Sequence, residues 1–399
     1  MKKKIINIKS IFTWCPIENK LINKKNIEIL IQDTIITKIG KSVGDAEIEI
    51  DANGAVIIPG FVDSHTHPIF SGNRSNEFSQ RISGKSYEEI TSGGGGIISS
   101  IHALRSLNED ELYNECLERI NYFLEFGTTT IEAKSGYGLT VKDEIKSLRV
   151  IKKLNDNSPL DIIPTFMGAH SIPPEYINNP SRYVDLVCQE MIPQVAEEKL
   201  AVFCDVFCEK GYFSLNSSRY ILETAKKYGL KIRLHADEFV DSGAANLAAE
   251  LGAVSADHLM EVNDSAIKKM SRNNVIATLL PGTTLFLGKK NYANGRKIID
   301  YGCDVAIATD YNPGSCTIQS MPLIISLASL YCGLNIEEAF KGATWNAAKS
   351  LCINDKVGSI SKGFQADLIF LKVQSLDEIP YWMNSNRIFK IMKCGNVLN

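Results

Sequence analysis

The chain has 399 residues, 44% hydrophobic and 22% charged, an ordinary globular composition that favours neither a disordered nor a membrane class. A net charge of -3 leaves no Lys and Arg excess to displace counterions from phosphates, so nucleic acid is not an expected partner. The length suits one large α/β barrel with a smaller appended domain.

Met1 to Lys4 are basic, but Asn7 and Lys9 interrupt the following stretch, so no export signal is read there. No window approaches the roughly 18 apolar residues of a membrane helix, and the expectation is a soluble, cytoplasmic protein with no membrane partner. Short β-rich runs follow at Ile5–Ile11, Ile27–Ile31, Thr34–Ile39 and Ala46–Ile50, separated by polar and Gly-containing turns.

From there apolar runs alternate with helical patterns, the mark of a parallel sheet with helices outside. Eight barrel strands are expected near Ala55–Asp63, Thr128–Ala133, Asp161–Met167, Val202–Cys208, Lys231–Ala236, Ala253–Asp257, Val275–Leu280 and Asp304–Ala308. Between the first two, Ile69 to Ile101 contains Gly93 to Gly96 in a row and reads as a mobile active-site loop or a passive excursion. One helix is well marked: Asn108 and Glu111 form an N-cap pair, and Leu112, Cys116, Leu117, Ile120, Phe123 and Leu124 make an apolar stripe ending before Gly127. The C-terminal runs Ala366–Leu371 and Ile388–Met392 have the same β texture as the N-terminal ones. The expected organisation is therefore a (β/α)8 TIM barrel over 59–355 and a composite β-sandwich from 1–58 and 356–399. Ten cysteines without paired CxxC spacing are read as small buried hydrophobes.

There are six histidines, and those at 65, 67, 170, 235 and 258 fall at the C-terminal end of an expected strand, the active face of this architecture. His102 falls at none and is given no role. In Gly60-Phe61-Val62-Asp63-Ser64-His65-Thr66-His67 an apolar strand runs into His-x-His, and strand alternation points both imidazoles the same way. Alone, such a pair is weak evidence. His235 ends the fifth strand, and Asp310 ends the eighth before Asn312-Pro313-Gly314, where a turn-capping carboxylate is the alternative. His65, His67, His235 and Asp310 form a ligand set suited to Zn2+ or Fe2+ and too poor in carboxylates for calcium. Such a cation acidifies water and polarises a carbonyl; Asp310 is then placed to carry the proton, and His258 to hydrogen-bond the attacked carbonyl or the water.

The Gly-Phe-Val-Asp-Ser-His-Thr-His strand, His235, His258, Asp310 and the C-terminal Gly358-x-Ile-x-x-Gly363-x-x-Ala366-Asp367-Leu368 run together resemble the amidohydrolase superfamily. Within it, His65 to Arg74, Thr128 to Gly138, Thr165 to His170, His235 to Glu238 and Thr309 to Ser315 are similar to the imidazolonepropionase family. The resemblance implies hydrolysis of 4-imidazolone-5-propanoate to N-formimidoyl-L-glutamate in histidine degradation. It also implies one zinc or iron ion (Zn2+, Fe2+ or Fe3+) per subunit, a small-molecule substrate and a homodimer. Arg74 would take the propanoate as a donor fork, aided by Tyr87 and Tyr137. His170 and Glu238 would hydrogen-bond the ring, and Asn312, Gly314 and Ser315 would contact substrate or product. Without that resemblance Arg74 and Tyr87 read as solvated loop residues, Glu238 as a first-turn helix carboxylate, and 312–315 as a tight turn. The superfamily's binuclear members bridge two metals with a carbamoylated Lys from strand four. Lys210 follows that strand here, but its neighbours resemble those of one-metal members, and Lys134 is set aside as a bridge because it belongs to strand two. The alternatives are another cyclic amidase or a cytosine- or guanine-type aminohydrolase, and a non-catalytic barrel scaffold.

Overall fold

The structure is a computed structural model describing residues 1–85, 89–90, 94–383 and 385–398. Eight strands form one parallel sheet in sequence order: Phe61–Asp63, Thr128–Lys134, Asp161–Ala169, Phe203–Cys208, Lys231–Ala236, Ser255–His258, Ile276–Leu279 and Val305–Ile307. Their side chains are buried almost throughout because helices cover the outside and residues from all strands fill the inside, which is why they read as near-continuous apolar runs. The eight-stranded barrel expected from the sequence is present.

Its seam lies between the first and eighth strands and is closed beyond the regular ladder. Asp310 N–H donates to His65 O at 3.0 Å, His67 N–H to Tyr311 O at 2.8 Å, and Thr66 bridges Tyr311. Below them Asp63 accepts the Thr309 N–H at 3.0 Å and its hydroxyl at 2.6 Å. Closing the barrel therefore stitches the His-x-His segment directly to the Asp310 segment.

The expected strand Ala55–Asp63 is two strands. Val56–Pro59 pairs with Leu368–Leu371, register Ile58 to Ile369, and belongs to a six-stranded sheet at the chain ends; only Phe61–Asp63 joins the barrel. Gly60 makes the junction, where a Cβ would lie 2.1 Å from Thr129 Oγ1, so no larger residue fits. The expected run Ile5–Ile11 is likewise split, by Asn7 at φ +57°, into Lys2–Ile6 of a four-stranded sheet and Ser10–Cys15 of the six-stranded one. These two sheets share a core of Ile5, Ile11, Ile29, Ile31, Ile57, Leu368 and Phe370, making the composite sandwich. Strands Lys20–Lys25 and Asn396–Leu398 were not expected.

Helix Glu109–Glu125 forms as the sequence requires. Asn108 Oδ1 accepts the Glu111 N–H at 3.0 Å, Glu111 returns a carboxylate to the Asn108 N–H at 2.8 Å, and Leu112, Cys116, Ile120 and Phe123 are buried. The expected loop Ile69–Ile101 is partly helical in its described residues: Ser75–Ile82 and the start of Ile97–Ser106. All ten cysteines are free, and seven are buried. Among the described residues no helix is long and apolar enough to cross a membrane.

Candidate active site

The C-terminal ends of the strands bring His65, His67, His235 and Asp310 together. His65 Nε2 lies 3.1 Å from His235 Nε2 and 3.3 Å from His67 Nε2, and the His235 and His67 Nε2 atoms are 3.3 Å apart. Asp310 Oδ1 is 3.5 Å from the Nε2 atoms of both His65 and His67. Four ligands at roughly 2.0–2.2 Å around a tetrahedral cation are held about 3.3–3.6 Å apart, so the spacing fits one such ion.

The protonation pattern supports the same fit. His65 Nδ1 faces Asp257 Oδ2 at 2.7 Å and His235 Nδ1 faces Asp205 Oδ1 at 3.2 Å, which places the ring protons on Nδ1. Burial holds His65 and His67 neutral, their pKa values well below the usual imidazole range. The Nε2 lone pairs of His65 and His235 then face one another at 3.1 Å, an arrangement that a cation between them makes favourable. Asp205 and Asp257 are themselves anchored, the first by Lys134 Nζ at 2.7 Å and the second by Arg233 Nη2 at 3.1 Å.

Asp310 sits at φ +55° and His258 at φ +80°, a left-handed backbone costly for residues with a Cβ and characteristic of functional sites. The second carboxylate oxygen of Asp310, Oδ2, accepts the Thr283 hydroxyl, and burial pushes its pKa up to about 6. His258 is buried, and neither ring nitrogen has a hydrogen-bond partner among the described residues; Glu238 Oε2 stands 3.7 Å from its Nε2. Burial, and then the charge of Asp310, pushes Glu238 up to about 8. His170 Nδ1 donates to Gly136 O at 2.9 Å, and burial lowers its pKa to about 3, so its Nε2 is an acceptor.

A cavity of 530 Å3 is lined by His67, His235, His258, Asp310, Glu238, Tyr137, His170, Arg74, Asn312, Gly314 and Ser315 among others. Every expected site residue that is described lines it except His65, which is fully enclosed. Tyr87 lies outside the described residues. Asn312 spends its side chain on the turn: Oδ1 accepts from the N–H groups of Gly314 and Ser315 at 2.8 Å each, and Nδ2 donates to Asp310 O at 2.7 Å. Gly314 is packed by Arg74, whose Nη1 would stand 2.2 Å from a Cβ there. Lys210 is exposed and lines no part of the cavity.

Sequence reasoning missed several participants. Glu77 accepts from Arg74 Nε at 2.9 Å and Nη2 at 2.6 Å, so one edge of that guanidinium is already occupied. Arg81, donating to Gly314 O at 3.2 Å, and Lys289 add two more cations to the cavity wall. Thr283, Asp205 and Asp257 carry no motif; their only sequence signal is a polar residue inside or just after an apolar strand.

The profile described as Amidohydrolase family matches residues 56–398. The chain belongs to the amidohydrolase family. It is 46% identical over 381 residues to an imidazolonepropionase of Clostridium tetani (strain Massachusetts / E88), covering 94% of this chain and 91% of that protein. It is 44% identical over 398 residues to an imidazolonepropionase of Thermoanaerobacter pseudethanolicus (strain ATCC 33223 / 39E), covering 98% and 96%. Among solved structures, 5-methylcytosine deaminase from Klebsiella pneumoniae liganded with 5-fluorocytosine superimposes with a TM-score of 0.76 at 18% identity, covering 99% of this chain and 97% of that one. At that identity the likeness speaks for the amidohydrolase barrel alone.

Proposed function

We propose that this chain is an imidazolonepropionase: a hydrolase that opens the cyclic amide of 4-imidazolone-5-propanoate to give N-formimidoyl-L-glutamate. The observation that carries the reading is the convergence of three imidazole nitrogens and one carboxylate oxygen within 3.5 Å contacts, in a cavity that also holds Arg74. Relatives of that name, 44–46% identical over nearly the whole chain, support the specific substrate.

His65, His67, His235 and Asp310 would hold one divalent cation, zinc or iron. When bound, that ion supplies Lewis acidity toward the ring carbonyl and toward water. Asp310 takes a proton from the attacking water and returns it to the ring nitrogen as the C–N bond breaks. Glu238, its pKa raised by burial in the cavity wall, hydrogen-bonds the ring. The two unbonded nitrogens of buried His258 offer a further contact to the carbonyl, and His170 Nε2 accepts from a ring N–H. The edge of Arg74 left free by Glu77 meets the propanoate, with Tyr137 and the 312–315 turn shaping the wall.

Purified protein incubated with 4-imidazolone-5-propanoate should discharge the ring chromophore without releasing ammonia, and chelation should abolish the loss until metal is restored. Ammonia release from an aminopyrimidine with the imidazolone left intact would replace this reading with a deaminase.

A further inference from the structure

Behind His65 and His235 lies a sealed ion cluster whose parts the chemistry above uses only through two carboxylates. Glu132, Lys134, Asp205, Arg233 and Asp257 are all fully buried inside the barrel. Lys134 Nζ lies 2.8 Å from Glu132 and 2.7 Å from Asp205, and Arg233 Nη2 lies 3.1 Å from Asp257 with its Nε 3.4 Å from Glu132. Three carboxylates thus face two fixed cations. Asp205 and Asp257 also offer oxygens that lie, with a nitrogen of His65, within 4.8 Å of one another, the spacing of ligands around a metal. One of those carboxylates keeps a lone oxygen: Asp257 Oδ1 is buried and has no hydrogen-bond partner among the described residues.

We propose that Lys134 is a built-in cation filling a second cation site between Glu132 and Asp205, with Asp257 beside Asp205, and that its ammonium limits this chain to one metal ion. The proposal rests on the metal reading given above. Lys134 donates to two carboxylates from different strands, as a small cation in that place would coordinate them. Removing the ammonium leaves three buried carboxylates against one guanidinium, a charge that a water-free interior does not tolerate uncompensated. Truncation to Ala also clears the volume of the Lys side chain. Oxygen-rich surroundings then favour a hard divalent ion such as Mn2+.

The test is metal stoichiometry, independent of turnover. Wild-type protein and Lys134→Ala are stripped, loaded with one equivalent of Zn2+, titrated with Mn2+, desalted, and measured by elemental analysis and by Mn2+ paramagnetic resonance. The wild type should hold one metal per chain in total, and Lys134→Ala should hold two. Adding Glu132→Gln to that variant should return it to one. Lys134→Ser, with the same expected gain, replaces the Ala variant if that fails to fold, and the wild-type arm stands without either. A wild type that retains no metal overturns the metal reading itself. A wild type that takes a second ion, or a folded Lys134→Ala or Lys134→Ser that stays at one, overturns this proposal alone.

Discussion

Among the described residues, two buried lysines are each held between two carboxylates, and they differ in what those carboxylates touch. Lys134, inside the barrel, binds Glu132 and Asp205 with every partner fully enclosed, and Asp205 passes its orientation on to His235. Lys393, at the junction of barrel and sandwich, binds Asp161 and Asp367 at 2.6 Å each, but Asp161 is 38% exposed and neither carboxylate touches an imidazole. The same ion triplet thus backs an imidazole of the proposed metal site in one place and rivets two layers together in the other. What distinguishes them is the next residue in the hydrogen-bond chain.

Four substitutions can break or sharpen this contrast. The largest effect is expected from Asp310→Asn, which removes the proposed ligand and proton carrier together: kcat should fall by about 10^3-fold or more, read by loss of the ring chromophore. Retained turnover would remove Asp310 from the proton path. Next, Asp257→Asn should weaken metal binding by roughly 10–100-fold in a competition titration against a chelator, because His65 loses the partner that fixes its tautomer. Third, Lys393→Met should cost about 1–3 kcal/mol in urea unfolding, discounted because Asp161 is partly solvated, and leave metal content and kcat unchanged. Burial lowers the Lys393 pKa, but Asp367 and Asp161 more than offset it, so the folded value is raised. While Asp367 and Asp161 are ionised, its stabilisation is full below the unfolded pKa of about 10.4 and fades as pH rises through the folded value, so the gap between wild type and variant should close in strong alkali and narrow again in acid as the carboxylates protonate. A change in metal affinity in Lys393→Met would erase the distinction between the two triplets. The smallest effect belongs to Asn108→Ala, which loses one helix cap far from either cluster: about 1 kcal/mol by denaturation and no change in kcat.

Much of the barrel was legible because strands buried on both faces leave long apolar runs, and because the ligands cluster at strand ends. His-x-His, His235 and Asp310 each follow such a run, and the barrel's geometry does the rest. The splits at Asn7 and Gly60 were not legible: an apolar run shows that residues are buried but not in which sheet, and both breaks depend on neighbours brought from elsewhere in the chain. Lys20–Lys25 escaped notice because a Lys- and Asn-rich edge hairpin carries no apolar signal. Glu132, Asp205 and Arg233 were hidden, and Lys134 was seen but given no role, for a different reason. Each is a charge alternating within an apolar strand, which reads locally as a solvent-facing position, and only closure of the barrel turns that face inward. Arg81, Lys289 and Thr283 come from loops and short helices whose approach to the cavity is set by tertiary packing.

The junction at Gly60 also has a bearing on how the protein is assembled. Val56–Pro59 leaves the ribosome early, yet one of its two neighbouring strands, Leu368–Leu371, emerges only after the whole barrel has been synthesised. Through most of translation, then, the segment leading into His65 lacks its later neighbour, and the nascent chain must keep that hydrophobic edge from pairing elsewhere until the last strands arrive to clasp it.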